Sequence, residues 1–164
     1  MAEPTTRITT WPEVVKHLIK TYVGSRSGPS DVLELMVPLD VAGPAAGEFW
    51  TRASVEAAQE KLGPQPVEVS RIDLSGSPWI RITSVIGSSR YVSPVEMLGN
   101  NLHSPIGALC LRDGSLAMRQ SLPIAGLRLP DLDEAVRAVA HQAAWARRHL
   151  SDGSSGPRRR WLSD

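Results

Sequence analysis

The chain has 164 residues and is close to electrical neutrality. Lysine and arginine number 18 against 17 aspartates and glutamates, a formal net charge of +1, so no global field selects nucleic acid or an anionic membrane. The single cysteine excludes an internal disulfide. A chain of this length suits one domain with one hydrophobic core.

The compartment is predicted from the same composition. The first ten residues lack the apolar core of a signal peptide, and apolar residues nowhere form a run long enough to cross a bilayer. The absence of paired cysteines fits a reducing compartment. We therefore expect a soluble, cytoplasmic chain without a membrane span.

An N-terminal helix is predicted after a flexible stretch at residues 1–9. Thr10 is a favourable N-cap, Pro12 suits the first helical turn, and Glu13 places an acid at the third helical position. The apolar residues that follow recur at helical spacing. They are Val14, Val15, Leu18, Ile19 and Tyr22.

The segment after this helix alternates turn-rich and apolar stretches. Residues 24–30 are predicted to form a Gly/Ser loop, and residues 32–39 a strand that ends at Pro38. Residues 40–48 are predicted to be a loop or insert. For residues 49–62 we favour a short helix, although residues 49–55 could instead form an edge strand.

Two central strands are predicted over residues 67–74 and 79–86, joined by a turn-rich link at residues 75–78. The apolar alternation changes phase within the first of these strands, which predicts a bulge at residue 70 or 71. A capping pattern at residues 93–96 then opens a short helix that runs through Leu98 and should end by Asn100 or Asn101.

A β-hairpin is the sharpest local prediction. Asp113 and Gly114 occupy the centre of a two-residue turn, and this dipeptide is the strongest short-range signal for a type I′ turn. The turn sets the register and places the large apolar residues on one face. The predicted pairs are Leu111 with Leu116, Leu109 with Met118, Cys110 with Ala117, and Ala108 with Arg119.

A long helix is predicted to follow the hairpin. Asp131 and Glu134 form a plausible capping pair, which starts the helix near Leu132. Apolar residues then recur at steps of three and four and draw a stripe that should lie on the sheet. The stripe contains Leu132, Val136, Val139, Ala143, Ala146 and Leu150.

Together these elements predict an α+β fold, in which an antiparallel β-sheet of about five strands is flanked by N-terminal, central and long C-terminal helices. A single domain should span residues 10–150, followed by a disordered basic tail at residues 151–164. From Thr10 onward, and above all over residues 107–150, the order of elements resembles the type III secretion chaperone-like fold. That group includes the YbjN-type sensory regulators and chaperone-like domains common in actinobacteria.

The resemblance implies a protein that binds other proteins. Families of this fold often form homodimers and are not known for catalysis, and no functional residue can be carried over from them. The residues themselves do not indicate a metal, phosphate or catalytic site either. The histidines lack a metal-binding spacing, residues 24–28 lack the Lys-Ser/Thr of a phosphate loop, and Cys110 has no recognisable base. We therefore predict no enzyme activity, no cofactor and no metal site.

The predicted function is a non-enzymatic protein-binding module, a chaperone-like or regulatory adaptor that forms a homodimer. Its partner cannot be identified from the sequence. Some residues lie beside the main stripe of the long helix, where a monomer would expose them unless residues 49–62 cover them. These candidate partner contacts are Ala138, His141, Trp145 and Arg148.

A rival hypothesis is a regulatory protein that binds nucleic acid or an anionic surface through its C-terminal tail. The candidate tail contacts are Arg158, Arg159, Arg160 and Trp161. Nucleic acid is disfavoured, because the two aspartates of the tail leave it a net charge of only +1 and the whole chain is nearly neutral.

Overall fold

The computed structural model describes residues 7–26, 31–39, 63–91 and 107–151, together with Val95, Gly99 and Asn101. These residues form an α+β structure. The elements follow in the order β1 (Arg7–Ile8), α1 (Trp11–Thr21), β2 (Val23–Arg26), β3 (Val32–Val37), β4 (Gln65–Leu74), β5 (Ser77–Ser88), a 3₁₀ turn (Ser89–Tyr91), β6 (Ala108–Arg112), β7 (Ser115–Pro123), β8 (Leu127–Arg128) and α2 (Leu129–Ser151).

Six of the strands form one antiparallel sheet in the order β2-β3-β4-β5-β7-β6, and β1 pairs separately with β8. The class and the antiparallel sheet are as predicted, with one strand more than expected. The additional strand of this sheet is β2, and its last three residues lie in the stretch, residues 24–30, that was predicted to be a Gly/Ser loop. A Cβ at Gly24 would lie 2.9 Å from Leu35 Cδ2 on β3, so this glycine permits close strand packing.

Both helices pack on one face of the sheet. The apolar residues of β3, β4 and β5 alternate with polar ones, and the apolar set joins α1 and α2 in one core. Burying each large apolar side chain of this core contributes about 1.5–3 kcal/mol to the stability of the fold. The central residues of the core are Leu18, Leu33, Leu35, Val67, Val69, Ile80, Ile82, Met118, Leu132, Val136 and Val139.

The predicted hairpin is confirmed pair by pair. Asp113 and Gly114 have positive φ angles of 49° and 75°, as a type I′ turn requires. All four predicted pairs occur between β6 and β7: Ala108 with Arg119, Leu109 with Met118, Cys110 with Ala117, and Leu111 with Leu116. The local turn signal therefore fixes the register of this edge of the sheet.

The bulge predicted at residue 70 or 71 is wrong. The β4 register is continuous, and Ile72 lies opposite Trp79 on the other face from Val69. The apolar alternation changes phase because the apolar residues at the start and at the end of this unbroken strand lie on opposite faces of the sheet. The irregularity lies in β5, between Val85 and Gly87. There the carbonyls of Val85 and Ile86 accept hydrogen bonds from the Arg147 guanidinium of α2.

The two helices follow their predicted patterns with two differences. In α1, Ile19 is 47% exposed, although it was assigned to the apolar face. Helix α2 begins at Leu129, three residues before the predicted start, because Pro130 has the φ that a first helical turn needs. The described members of the predicted stripe are all buried: Leu132, Val136, Val139, Ala143 and Ala146.

Several predictions fall partly or wholly outside the described residues. They concern residues 1–6, 27–30, 40–62 and 152–164. Of the short helix predicted to begin at residue 93 and to end by Asn100 or Asn101, Val95, Gly99 and Asn101 are described, and all three are helical.

The Glu13 side chain takes part in capping the N-terminus of α1. Its carboxylate accepts hydrogen bonds from the backbone N–H groups of Thr9 and Thr10 at 2.9 and 3.0 Å, and from both hydroxyls. These bonds, the one from the Thr9 backbone foremost, lower the Glu13 pKa below its ordinary value of 4.5. The predicted capping pattern at Thr10 is therefore present in the structure.

We predict that Gly107→Ala destabilises the protein more than Gly114→Ala. Both glycines have positive φ, 67° and 75°, so each alanine adopts a left-handed conformation that costs about 1–2 kcal/mol. Only at Gly107 would the new Cβ also lie 2.6 Å from the Arg119 carbonyl oxygen. Urea unfolding measures the difference, and equal losses would contradict the steric argument.

We also predict that Glu13→Gln destabilises the protein at neutral pH and not in acid. The folded-state pKa of Glu13 is lowered, so its contribution is present above the unfolded-state pKa and disappears as the pH falls through the folded-state value. Thermal melts of the variant and the parent should differ at neutral pH and converge well below pH 4.5. A constant difference across this range would show that the charge of the cap does not matter.

Candidate functional site

The face of the six-stranded sheet that lies opposite α1 and α2 carries the polar half of each strand pattern. We call it the open face, because no helix of the described part of the chain packs on it. Its residues follow from the strand register and the two-residue period of a strand. They include Glu34, Met36, Pro66, Glu68, Arg81, Thr83, Val85, Ala117, Arg119 and Arg112.

A groove of about 390 Å³ lies on the open face across β2, β3, β4 and β5. Its exposed apolar lining is Val23, Met36, Pro66 and Val85, and the buried Leu35 and Val67 also line it. A volume of this size falls within the range of about 300–1,000 Å³ typical of ligand pockets. The groove is large enough to receive one or two large side chains.

An ion pair crosses the open face at one end of the groove. Arg112 on β6 and Glu68 on β4 lie 2.9 Å apart, between Nη1 and Oε1. Strands β5 and β7 lie between them, and Arg112 is also four residues further along β6 than Ala108, which shares the cross-strand row of Glu68. The intervening side chains, Thr83 and Ala117, are small and buried, so the long side chains can lie across them. The hydrogen bond with Glu68 raises the Arg112 pKa above its ordinary range.

The groove also carries an acidic side chain beside this ion pair. Glu34 lies directly opposite Glu68 in the β3–β4 register, and like charges in such pairs destabilise a sheet. Arg112 offsets the charge of Glu68, whereas Glu34 remains exposed. A bound segment would therefore meet apolar surface beside a carboxylate.

Two further arginines lie next to the groove. Arg119 is opposite Thr83, a groove residue, and Arg81 is two residues before Thr83 on β5. Both side chains are half-buried, and the Nε atom of each is shielded from solvent without a hydrogen-bond partner. The open face thus changes from apolar and acidic over β3 and β4 to basic over β5 and β7.

At the β6 edge of the sheet, the Asn101 side chain hydrogen-bonds the backbone of the edge strand. The Asn101 amide donates to the Leu109 carbonyl at 3.0 Å and accepts from the Leu109 N–H at 2.6 Å. Asn101 therefore satisfies both backbone groups that a neighbouring strand would otherwise pair with at this position.

The helix residues proposed as partner contacts are located differently from the prediction. Ala138 is fully buried, His141 is 7% exposed, and Trp145 packs partly buried against the core. Ala138 and His141 are therefore not exposed in the monomer, because residues 138–144 are all buried and α2 is covered well beyond its predicted stripe. The Arg148 side chain and the tail contacts Arg158, Arg159, Arg160 and Trp161 lie outside what the structure describes.

A polar link joins the two helices. His17 Nε2 on α1 lies 2.9 and 3.0 Å from the carboxylate oxygens of Asp133 on α2. Tyr22, which follows α1, is buried nearby, and its burial raises the pKa of the phenol. The sequence offers no local signal for this contact, because the two partners are 116 residues apart.

Sequence reasoning also missed the residues of the open face. The available signal was the alternation in β5, where Arg81, Thr83 and Val85 interleave with the buried Ile80 and Ile82. Assigning these residues to one surface with Arg119 and Arg112 requires the pairing of β5 with β7, which only the tertiary structure provides.

Metal-binding clusters and membrane-spanning helices are absent from the described ranges. No group of three or more His, Cys, Asp or Glu side chains is placed there to hold a metal ion, and no helix there is long and apolar enough to cross a membrane. Comparison with protein-family models and with curated proteins finds no match for this chain.

We predict that the Arg112–Glu68 pair is energetically coupled. A double-mutant cycle with Arg112→Met and Glu68→Gln should give a coupling free energy of about 0.5–1 kcal/mol at low salt, the upper range for partly exposed pairs. The coupling free energy should be smaller at high salt. The Arg71–Asp73 pair is the matched control, since it is longer at 3.4 Å and more exposed. Equal coupling in the two cycles would contradict a special role for the crossing pair.

Proposed function

We propose that this protein is a non-enzymatic protein-binding module, a chaperone-like or regulatory adaptor, and that it receives a segment of its partner on the open face. The observation that carries the proposal is the groove. It combines exposed aliphatic side chains with fixed charges on a sheet surface that no described helix covers. Exposed apolar surface rimmed by polar groups is typical of protein contact sites.

The chemistry of the groove supports binding over catalysis. Its described lining is aliphatic apart from Thr83, Glu34 and the Arg112–Glu68 pair, and it includes neither a histidine nor a cysteine. The Arg112–Glu68 charges are already paired with each other. These groups provide shape and charge for recognition, and they do not form a nucleophile with an adjacent base.

The resemblance to chaperone-like folds supports the same proposal. The proposal includes a cytoplasmic homodimer. The dimer rests on that resemblance, since Ala138 and His141, which suggested it, are buried and Trp145 is partly buried. The open face now replaces α2 as the proposed partner surface.

A site-specific crosslink tests this proposal. A photo-reactive phenylalanine analogue in place of Val85 should form protein adducts in cells of the native host. The same analogue in place of Ile19 is the matched control, because the two side chains are similarly exposed, 40% and 47%, and Ile19 is on α1. Adducts that are equal at both positions, or absent at Val85, would refute an open-face binding site.

A second arm of the experiment addresses the tail. A chain that ends at Ser151 should keep the Val85 adduct, because α2 and the sheet are retained. If truncation abolishes the adduct, or if nuclease treatment removes it, the hypothesis of a nucleic-acid or anionic-surface binder that uses Arg158, Arg159 and Arg160 replaces the adaptor.

A further inference from the structure

We propose that Arg81 and Arg119 form a carboxylate-binding site on the open face, and that this site takes an aspartate or glutamate side chain of the partner segment. The inference rests on the proposed function, because it names the chemistry that the partner must carry. It concerns residues beside the groove that take no part in the Arg112–Glu68 pair.

The strand register brings the two arginines together. Arg81 pairs with Ser121, and Arg119 pairs with Thr83, so the two are diagonal neighbours on adjacent strands. Such neighbours lie roughly 7–8 Å apart at the backbone, within reach of long side chains. Both point to the open face, since each is on the opposite side of its strand from the buried Ile82 and Met118.

The Nε–H groups of Arg81 and Arg119 lack acceptors among the described residues. Within the described part of the chain neither arginine has an ion-pair partner, and the Nε–H of each is shielded from solvent without an acceptor. A half-buried donor without a partner is costly, and two adjacent like charges add to that cost. A single anion between the two guanidinium groups would offset both, because arginine binds carboxylates through paired N–H groups.

The surrounding charges favour a single carboxylate over a polyanion. Glu68, Thr83 and Arg119 lie in one row across β4, β5 and β7, which places Glu68 about 10 Å from Arg119 at the backbone. Glu34 continues the same row on β3. A nucleic-acid strand that bound the arginines would meet these carboxylates, and the net charge of the chain, +1, gives it no general attraction.

The groove sets the position of the neighbouring partner residue. Thr83 lines the groove and lies opposite Arg119, so the arginine pair and the apolar lining are continuous. An extended peptide advances about 7 Å in two residues and keeps both side chains on one side. We therefore expect an acidic residue followed, two positions later, by an aliphatic residue that enters the groove beside Val85 and Met36.

Nuclear magnetic resonance on the full-length ¹⁵N-labelled chain tests the site directly. The probes are acetyl-Glu-Ala-Leu-amide and its uncharged match, acetyl-Gln-Ala-Leu-amide. The Glu peptide should shift the Nε–Hε signals of Arg81 and Arg119 and bind about tenfold more tightly than the Gln peptide, as a lost charge-assisted bond implies. Equal binding of the two peptides, or unshifted arginine signals, would overturn the site.

Arginine variants and other anions serve as controls for this measurement. Arg81→Gln and Arg119→Gln should each remove most of the Glu/Gln discrimination, and Arg71→Gln, at an exposed arginine on β4, should retain it. Inorganic phosphate or a thymidine oligonucleotide that binds more tightly than the Glu peptide would overturn the proposal in favour of a phosphate site. A Val85 adduct that forms although the discrimination is absent would refute the carboxylate site alone and leave the adaptor intact.

Discussion

The structure depends on the packing of α2 against the alternating strands β4 and β5. Alternation places Val67, Val69, Ile80 and Ile82 on one side, where the apolar stripe of α2 covers them. The remaining residues must then share the opposite face, whatever their charge. Core formation therefore creates the open face, and the groove and the arginines are located by the same pattern that stabilises the fold.

The parts of the fold that local physics determines could be predicted from the sequence. Asp113 and Gly114 specify the turn because their φ angles are positive, and the register of β6 with β7 follows from it. The stripe of α2 follows from its helical period. Strand β2 could not be predicted in this way, since Gly24 suggests a loop until Leu35 is placed against it. The β5 irregularity at Val85 likewise depends on Arg147, which lies far along the chain.

Most of the candidate site could not be predicted from the sequence, for a related reason. A helical pattern identifies the residues that face a core, but it does not show how widely the helix is covered. Ala138 and His141 lie beside the stripe of α2 and are nevertheless buried. Conversely, Arg112 and Glu68 belong to strands that are distant in the sequence, and nothing local connects them. Recognition surfaces on a sheet arise from strand order, which is a long-range property.

The Asn101 amide has a consequence for how copies of this protein can assemble. Growth of a continuous intermolecular sheet requires every copy to offer two free edges, one to each neighbour. Asn101 occupies the β6 edge at Leu109 with both hydrogen bonds that an incoming strand would need there. Edge-to-edge pairing through β6 is thereby opposed, which disfavours open-ended growth relative to a finite complex.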